Sequence, residues 1–367
     1  MKNTFGQSVA VTLFGESHGA YIGAVIDGLA PGIAVDEDFI RSQLTLRRPA
    51  GKIATARQEA DPFEIVSGVF EGRTTGTPLA ILIPNGDTKS KDYSKTKDLA
   101  RPGHADFTAE MKYHGYQDYR GGGHFSGRIT AALVAAGAIA IAALESKGVT
   151  LRSHVRMCAG VEDRAFAADE AGLAADFAAL AGENFPVLDS VAREEMERRI
   201  LAAREDCDSV GGILETAVCG LPAGLGEPWF DTLEGVLAHA LFSVPAVKGV
   251  EFGDGFALAQ MRGSEANDAF RMDGSRVVSK TNHNGGINGG ITNGMPLTFR
   301  CAVKPTPSIF KTQETVDFKK NENATMALEG RHDPCIVHRA AVVVDSVTAL
   351  ALCDLFALRF GTDYLAN

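Results

Sequence analysis

Hydrophobic and polar positions are laid out along this chain in two textures. Short runs rich in Val, Ile and Leu, bounded by turn residues, occur at 9–14, 64–70, 79–83, 213–221, 297–303 and 341–344. Their length and β-branched content predict strands. Longer segments carry apolar residues at helical spacing or are apolar nearly throughout. They predict helices over 36–46, 105–113, 129–147, 173–181, 190–205, 232–242 and 346–358. Asp36, Ser190, Asp231 and Ser346 stand at N-cap positions of these segments. The order is neither a strict strand–helix alternation nor a block of strands followed by a block of helices. Runs separated by glycine-containing turns, such as 64–70 and 79–83, predict antiparallel pairing. The pattern predicts an α+β fold in one domain over 1–367, with the Ala/Glu/Arg-rich stretch 165–205 as a helical excursion.

Composition narrows the class. A chain of 367 residues is long enough for a sizeable core, and 40 glycines predict many tight loops. A net charge of −10 speaks against a general binder of nucleic acid or membrane surfaces. The six cysteines are scattered without CxxC pairs, so neither a disulfide framework nor a structural zinc site is indicated. No apolar run follows a basic N-terminal region, and none reaches about 18 uninterrupted residues. The expectation is a soluble, cytoplasmic protein.

Against this acidic background, cations gather in two places. The stretch 41–58 holds Arg41, Arg47, Arg48, Lys52 and Arg57 with no acid, in loop-like sequence around Pro49 and Gly51. A charge run is usually a solvated face, but local charge opposing the global charge favours an anion site. The stretch 101–128 mixes Arg101, Arg120 and Arg128 with His104, His114, His124 and glycines, then enters an alanine-rich helix. Guanidinium binds carboxylate or phosphate, imidazole titrates near neutrality, and glycine allows close backbone approach. Together they describe a site for a multiply anionic small molecule undergoing proton chemistry.

Other motifs are weaker alone. The turn Gly15–Gly19, GESHG, presents His18 either to a ligand or to solvent. Gly121, Gly123 and Gly127 nearly fit GxGxxG, but the spacing is off by one and the preceding segment is too polar for a buried Rossmann strand. The run 282–294, NHNGGINGGITNG, is either a ligand loop or a set of turns. In 329–338, EGRHDPCIVH, the residues His332, Cys335 and His338 have a spacing a metal could use, yet no distant ligand pair supports one. No metal is expected there, and Asp333 between cations is the better acid–base candidate. GxxxxGK[ST], HExxH and GxSxG are missing, which disfavours a serine hydrolase for the serine of GESHG.

Read in order, these blocks resemble the chorismate synthase family over nearly the whole chain. They are FGESHG at 14–19, RRP at 47–49, SGVFEGRTTGTPLAILI at 67–83, RPGHAD at 101–106 and DYRGGG at 118–123. LPAGLGEPWFD at 221–231, AVKGVEFGDGF at 246–256, NHNGGINGGITNG, KPTPSI from 304 and GRHDPC at 330–335 follow. The resemblance implies conversion of 5-enolpyruvylshikimate 3-phosphate to chorismate by 1,4-anti elimination of phosphate, with reduced FMN and no net redox change. NADPH is implied only for a member that reduces its own flavin. It also implies a β-α-β sandwich, two antiparallel sheets inside and helices outside, assembled as a homotetramer.

Roles follow the matching positions. His104 matches a histidine near the substrate phosphate, a general acid for the leaving group. His18 matches one beside the flavin ring, with Ser17 as a relay, and Asp333 matches an aspartate assisting deprotonation. Arg47, Arg48, Arg57, Arg101 and Arg128 match substrate arginines. His124, Phe125, Ser126, Ala246, Gly289, Lys304, Thr306, Ser308 and Arg331 fall at FMN positions. The chain departs from the RSSARET of many members, having HFSGRIT with His124 and Phe125 for Arg-Ser. The runner-up is an NAD(P)H- or flavin-dependent oxidoreductase acting on a small anionic substrate; a phosphate- or nucleic-acid-binding module built on the Arg41–Arg57 loop is a further alternative.

Overall fold

The computed structural model describes residues 2–49, 51–53, 60–86, 97–328 and 333–366. Among these residues the α-helices are α1 (Glu37–Arg47), α2 (Asp106–Tyr113), α3 (Thr130–Glu145), α4 (Glu170–Leu180), α5 (Ser190–Glu205), α6 (Leu233–Leu241), α7 (Gly263–Ala266) and α8 (Val337–Phe360). Asp36 caps α1, its carboxylate accepting from the N–H groups of Asp38 and Phe39. The other expected caps are displaced. Asp189, not Ser190, caps α5, and Thr232, not Asp231, caps α6. A cap needs extended backbone so that its side chain turns back to the first free N–H groups, and Ser190 is already helical.

α8 corrects a larger expectation. The run 341–344, read as a strand, and Ser346, read as a cap, both lie inside this 24-residue helix. Ser346 Oγ donates to Val342 O at 2.7 Å, a helix-interior bond. The β-branched Val342–Val344 run is buried on all sides, and that burial overrides local strand propensity.

Two five-stranded sheets complete the frame, with every neighbouring pair antiparallel. The first runs in the order Thr4–Phe5, Ala10–Gly15, Tyr21–Asp27, Leu79–Pro84, Glu64–Ser67. The second runs Val247–Phe252, Leu297–Val303, Gly212–Cys219, Thr150–Cys158, Val161–Glu162. The run 64–70 pairs with 79–83 as expected but divides at Gly68, after which Val69–Phe70 pairs with Arg73–Thr74. The α+β class and the two antiparallel sheets stand.

The layering is another correction. α3 packs on Tyr21–Asp27 and Leu79–Pro84 of the first sheet, and α8 on Thr150–Cys158 and Gly212–Cys219 of the second. α3 and α8 pack along each other, and α1 and α6 join them, so a helical layer lies between the sheets rather than outside them. The reason is composition. Both long helices are apolar on every face, so neither could serve as a half-exposed outer helix. By length and composition either could cross a membrane, but the fold buries 89% and 94% of their most apolar windows. The hydrophobic core runs unbroken from Val9 to Leu365.

The stretch 165–205 contributes α4 and α5, which pack against Thr150–Cys158 and Val161–Glu162. Buried His154 joins Asp163 (3.0 Å) to Glu215 (2.8 Å). Asp163 in turn accepts from Leu188 N and Asp189 N, and Glu215 from Phe166 N, which pins the start of the excursion and the link between α4 and α5.

Candidate active site

The strand Ala10–Gly15 ends in the turn that carries Ser17 and His18. The chain reaches α3 through another turn, Arg120–Phe125, in which Gly121, Gly122 and Gly123 have φ of 59°, 83° and 54°. Side chains are disfavoured there on backbone grounds alone. The neighbours add a second reason. A Cβ on Gly121 would collide with the His18 imidazole and come within 2.9 Å of Ser17 Oγ. One on Gly122 would sit 3.1 Å from His104 Cε1 and 3.4 Å from its Nε2. The triglycine turn thus brings His18 and His104 onto successive residues of one backbone. Ser17 N donates to Gly123 O (3.1 Å), and His124 Nδ1 donates to Gly15 O (2.7 Å), which joins the two turns.

His104 is held from its other side. Asp106, the first residue of α2, takes Arg101 in a fork, Nε to Oδ2 at 2.7 Å and Nη2 to Oδ1 at 2.6 Å. The Arg101 backbone N–H also donates to Oδ2 (3.0 Å). His104 Nδ1 lies 3.2 Å from Asp106 Oδ1 and 3.1 Å from Arg101 Nη2. Burial pushes the Asp106 carboxyl up, but hydrogen bonds and charge from Arg101 and His104 outweigh it and hold the group well below the usual carboxylate range. A cleft of about 490 Å³, part of it open solvent, is lined here by Arg101, His104, Asp106, Gly122 and Phe125. Phe125 stands edge-on to Tyr113 with ring centres 5.9 Å apart.

A chain of hydrogen bonds and ion pairs runs from the His18 turn to Asp333. Asn85 Nδ2 donates to Glu16 O (3.0 Å) and Gly19 O (2.8 Å), bracing that turn, and Asn85 Oδ1 accepts from Arg128 Nε (3.0 Å). Arg128 also binds Asp61, whose second oxygen takes Arg47 Nη2 at 3.0 Å, with Arg48 Nε 3.9 Å away. Burial pushes Asp61 up; the charges and hydrogen bonds of Arg47 and Arg128 outweigh it and hold the carboxyl below its ordinary value. Arg339 Nε donates to Arg47 O (2.7 Å) and its Nη1 to Asp333. Arg47 and Arg128 are buried, at 3% and 7% exposure, whereas Arg48 is half-buried.

The 304–308 segment approaches from a third direction. Lys304 Nζ donates to Gly103 O (2.5 Å), and Lys304 N donates to Ala246 O (2.9 Å). Ser308 is buried, and Thr306 Oγ1 is buried with no hydrogen-bond partner among the described residues.

Of the residues singled out in the sequence, Ser17, His18, Arg101, His104, His124, Phe125, Ser126 and Arg128 meet around the triglycine turn. Arg47, Arg48 and Asp333 join through the ion-pair chain, and Ala246, Lys304, Thr306 and Ser308 through the Gly103 turn. Gly289 turns a separate hairpin, and its neighbour Gly290 packs on Glu227 and Thr232 at the start of α6. A side chain begun at Gly289 would meet nothing within 4 Å among the described residues. Arg57 and Arg331 lie outside the described residues, as does His332. Sequence reasoning missed Asp61, Asn85, Asp106 and Arg339. The signal for Asp61 was the acid-free cation run itself, because buried guanidinium groups need a counter-charge.

Two imidazoles packed against one rigid turn, with the oriented Arg101 guanidinium beside His104 in the cleft, define an enzyme site for an anionic substrate. The family model for chorismate synthase matches residues 9–357. Chorismate synthase of Aeropyrum pernix is 48% identical over 98% of this chain and 93% of its own length. That of Chitinophaga pinensis is 47% identical over 97% of each. A crystal structure of chorismate synthase superposes with a TM-score of 0.77 at 28% identity, covering 97% of this chain and 94% of that one. The chain belongs to the chorismate synthase family. It is a lyase of the shikimate pathway and acts on a small-molecule substrate.

Proposed function

We propose that the enzyme converts 5-enolpyruvylshikimate 3-phosphate to chorismate and phosphate by 1,4-anti elimination, with reduced FMN bound and no net redox change. The observation that carries this reading is the pair His18 and His104 on successive residues of the triglycine turn, with His104 between Arg101 and Asp106 in the cleft. His104 Nε2 gives a proton to the departing phosphate. Arg101 and Arg48, with Arg57, neutralise the substrate's anionic groups; Arg47 and Arg128 act from behind, through Asp61. Ser17 and His18 hold protons on the opposite side of the turn. Asp333, held by Arg339, is the carboxylate on the side where the ring loses its proton.

Several features fit the flavin. The triglycine turn gives a bare backbone cradle. Lys304 and the unpartnered buried hydroxyl of Thr306 suit a phosphate or ring oxygen, with Ser308, Ala246, Ser126, His124 and Phe125 around them. Gly289 and Arg331 complete the set by resemblance. The chemistry supplied by reduced FMN when bound is electron density for breaking a C–O bond with no acidic neighbour. NADPH enters only where the chain reduces its own flavin. The unbroken core supports one domain over 1–367, and large exposed aromatic residues support a homotetramer. We place the enzyme in the cytoplasm.

The oxidoreductase alternative needs a glycine loop between a parallel strand and its crossover helix. Here the triglycine turn follows no strand, and both five-stranded sheets are antiparallel. The test is anaerobic incubation with dithionite-reduced FMN and the enolpyruvyl substrate, with phosphate and chorismate measured. Equal release of both is expected; no chorismate sinks the reading. His104→Ala and Asp333→Ala should each lower turnover by roughly 10²-fold or more while FMN still binds, as read by flavin fluorescence titration. Unchanged turnover in both variants removes them from the proton chemistry.

A further inference from the structure

Asp106 is absorbed by none of the roles above, yet it touches both groups that matter in the cleft. Its two oxygens take the Arg101 fork and the Arg101 backbone N–H, and Oδ1 also faces His104 Nδ1 at 3.2 Å. His104 N donates to Arg101 O (3.1 Å), so the turn is closed on itself. The carboxylate sits in the first turn of α2, where the helix dipole favours negative charge.

The chemistry at Nδ1 is decided by what its neighbours can do. A carboxylate only accepts hydrogen bonds and a guanidinium only donates. A ring protonated at Nδ1 donates to Asp106. A ring bare at Nδ1 accepts from Arg101 Nη2, 3.1 Å away, and must then carry its proton on Nε2. Nδ1 therefore has a partner in each protonation state, and the ring is held in one orientation throughout. In that orientation the Cε1–Nε2 edge lies over Gly122, where no side chain stands in the way. A doubly protonated ring can release its Nε2 proton into the cleft and keep its Nδ1 proton on Asp106.

We propose that Asp106 is a positioning residue for proton donation: it aims His104 Nε2 into the cleft and balances the ring's charge beside Arg101. This rests on the reading of His104 as the proton donor. Asp106→Asn keeps the size of the side chain and removes the charge. It should lower kcat by about 10- to 100-fold and move the high-pH limb of the rate profile to lower pH, because the protonated ring loses its counter-ion. In a His104→Ala background the same substitution should add no further loss of kcat. A separate measurement needs neither flavin nor substrate: the imidazole carbon shift of His104 in the full chain, followed by NMR against pH, should titrate lower in Asp106→Asn than in the parent.

An unmoved ring titration, or an equal kcat loss with and without His104, overturns the role of Asp106. A His104→Ala enzyme with full turnover instead overturns the reading of His104, whatever the ring titration shows. Asp106→Ser, whose hydroxyl still suits a helix N-terminus, carries the same expectations should the Asn variant not fold.

Discussion

At the scale of single residues, Asp345 shows how burial sets a pH dependence away from the cleft. Its carboxylate lies inside the core on α8, where Ser153 Oγ donates to it at 2.6 Å and Thr216 stands 2.7 Å behind Ser153. Burial pushes the group up to about 6, against the opposing pull of Arg152 and Ser153. The folded chain therefore keeps this proton in a range where the unfolded chain has lost it. Stability from this group falls as pH rises from the ordinary carboxylate range through about 6, and levels off above it. Asp345→Asn, which keeps the acceptor oxygen, should stabilise the chain at pH 7.5 relative to pH 4.5 by about 2 kcal/mol. Urea unfolding at the two values reads this directly, and an equal effect at both contradicts it. Asp61 is the opposite case, a buried carboxylate that must stay charged. Asp61→Ala removes a buried counter-ion shared by Arg47 and Arg128, at a cost of about 3 kcal/mol in the same measurement. The sequence made the cations legible because they stood in an acid-free run. It could not show Asp61 as their partner, since the pairing joins segments 14 and 67 residues apart.

Among elements, the crossing of α3 and α8 is a close steric constraint. A Cβ on Gly137 would collide with the Ser346 side chain and lie 2.6 Å from its Cα. On helix propensity alone Gly137→Ala should stabilise by about 1 kcal/mol. The close approach reverses the sign, and we expect a loss of about 1–3 kcal/mol. Ser346→Gly should not restore it, because the offending Cα remains. A Gly137→Ala chain that melts at or above the parent temperature would show that the two helices can part. The same crossing explains which elements were legible. α1 and α5 have polar outer faces and could be read from spacing, with α5 found to the residue. α8 is apolar on every face, so its periodicity is silent and its valine run mimics a strand. Thr150–Cys158 went unread for the converse reason. Its Ser153 and His154 are polar but buried, satisfied by Thr216, Asp345, Glu215 and Asp163 from elsewhere in the chain, and only the fold supplies those partners.

For the whole molecule, the site is an assembly of distant pieces: the turn after Ala10–Gly15, the end of α1, Asn85, the start of α2, the triglycine turn, Lys304 and the start of α8. Each motif could be read locally, whereas the inner position of the helices required knowing which apolar faces meet. What one chain leaves exposed is equally informative. Trp229 is 85% exposed, Phe230 95% and Phe256 83%, and Phe270 and Met272 on the hairpin Phe270–Ser279 are also exposed. Large aromatic side chains exposed to this extent are costly to leave in water, and a second copy of the chain is the cover the proposed tetramer provides. The double substitution Trp229→Glu and Phe230→Glu should therefore lower the mass seen by light scattering from four chains to two or one. The Asp36-capped α1 and the α3–α8 core lie elsewhere in the sequence, so far-ultraviolet circular dichroism should be unchanged. A parent chain that already runs as a monomer at micromolar concentration rejects the assembly. A double variant of unchanged mass shows that these aromatic residues serve something other than contacts between copies.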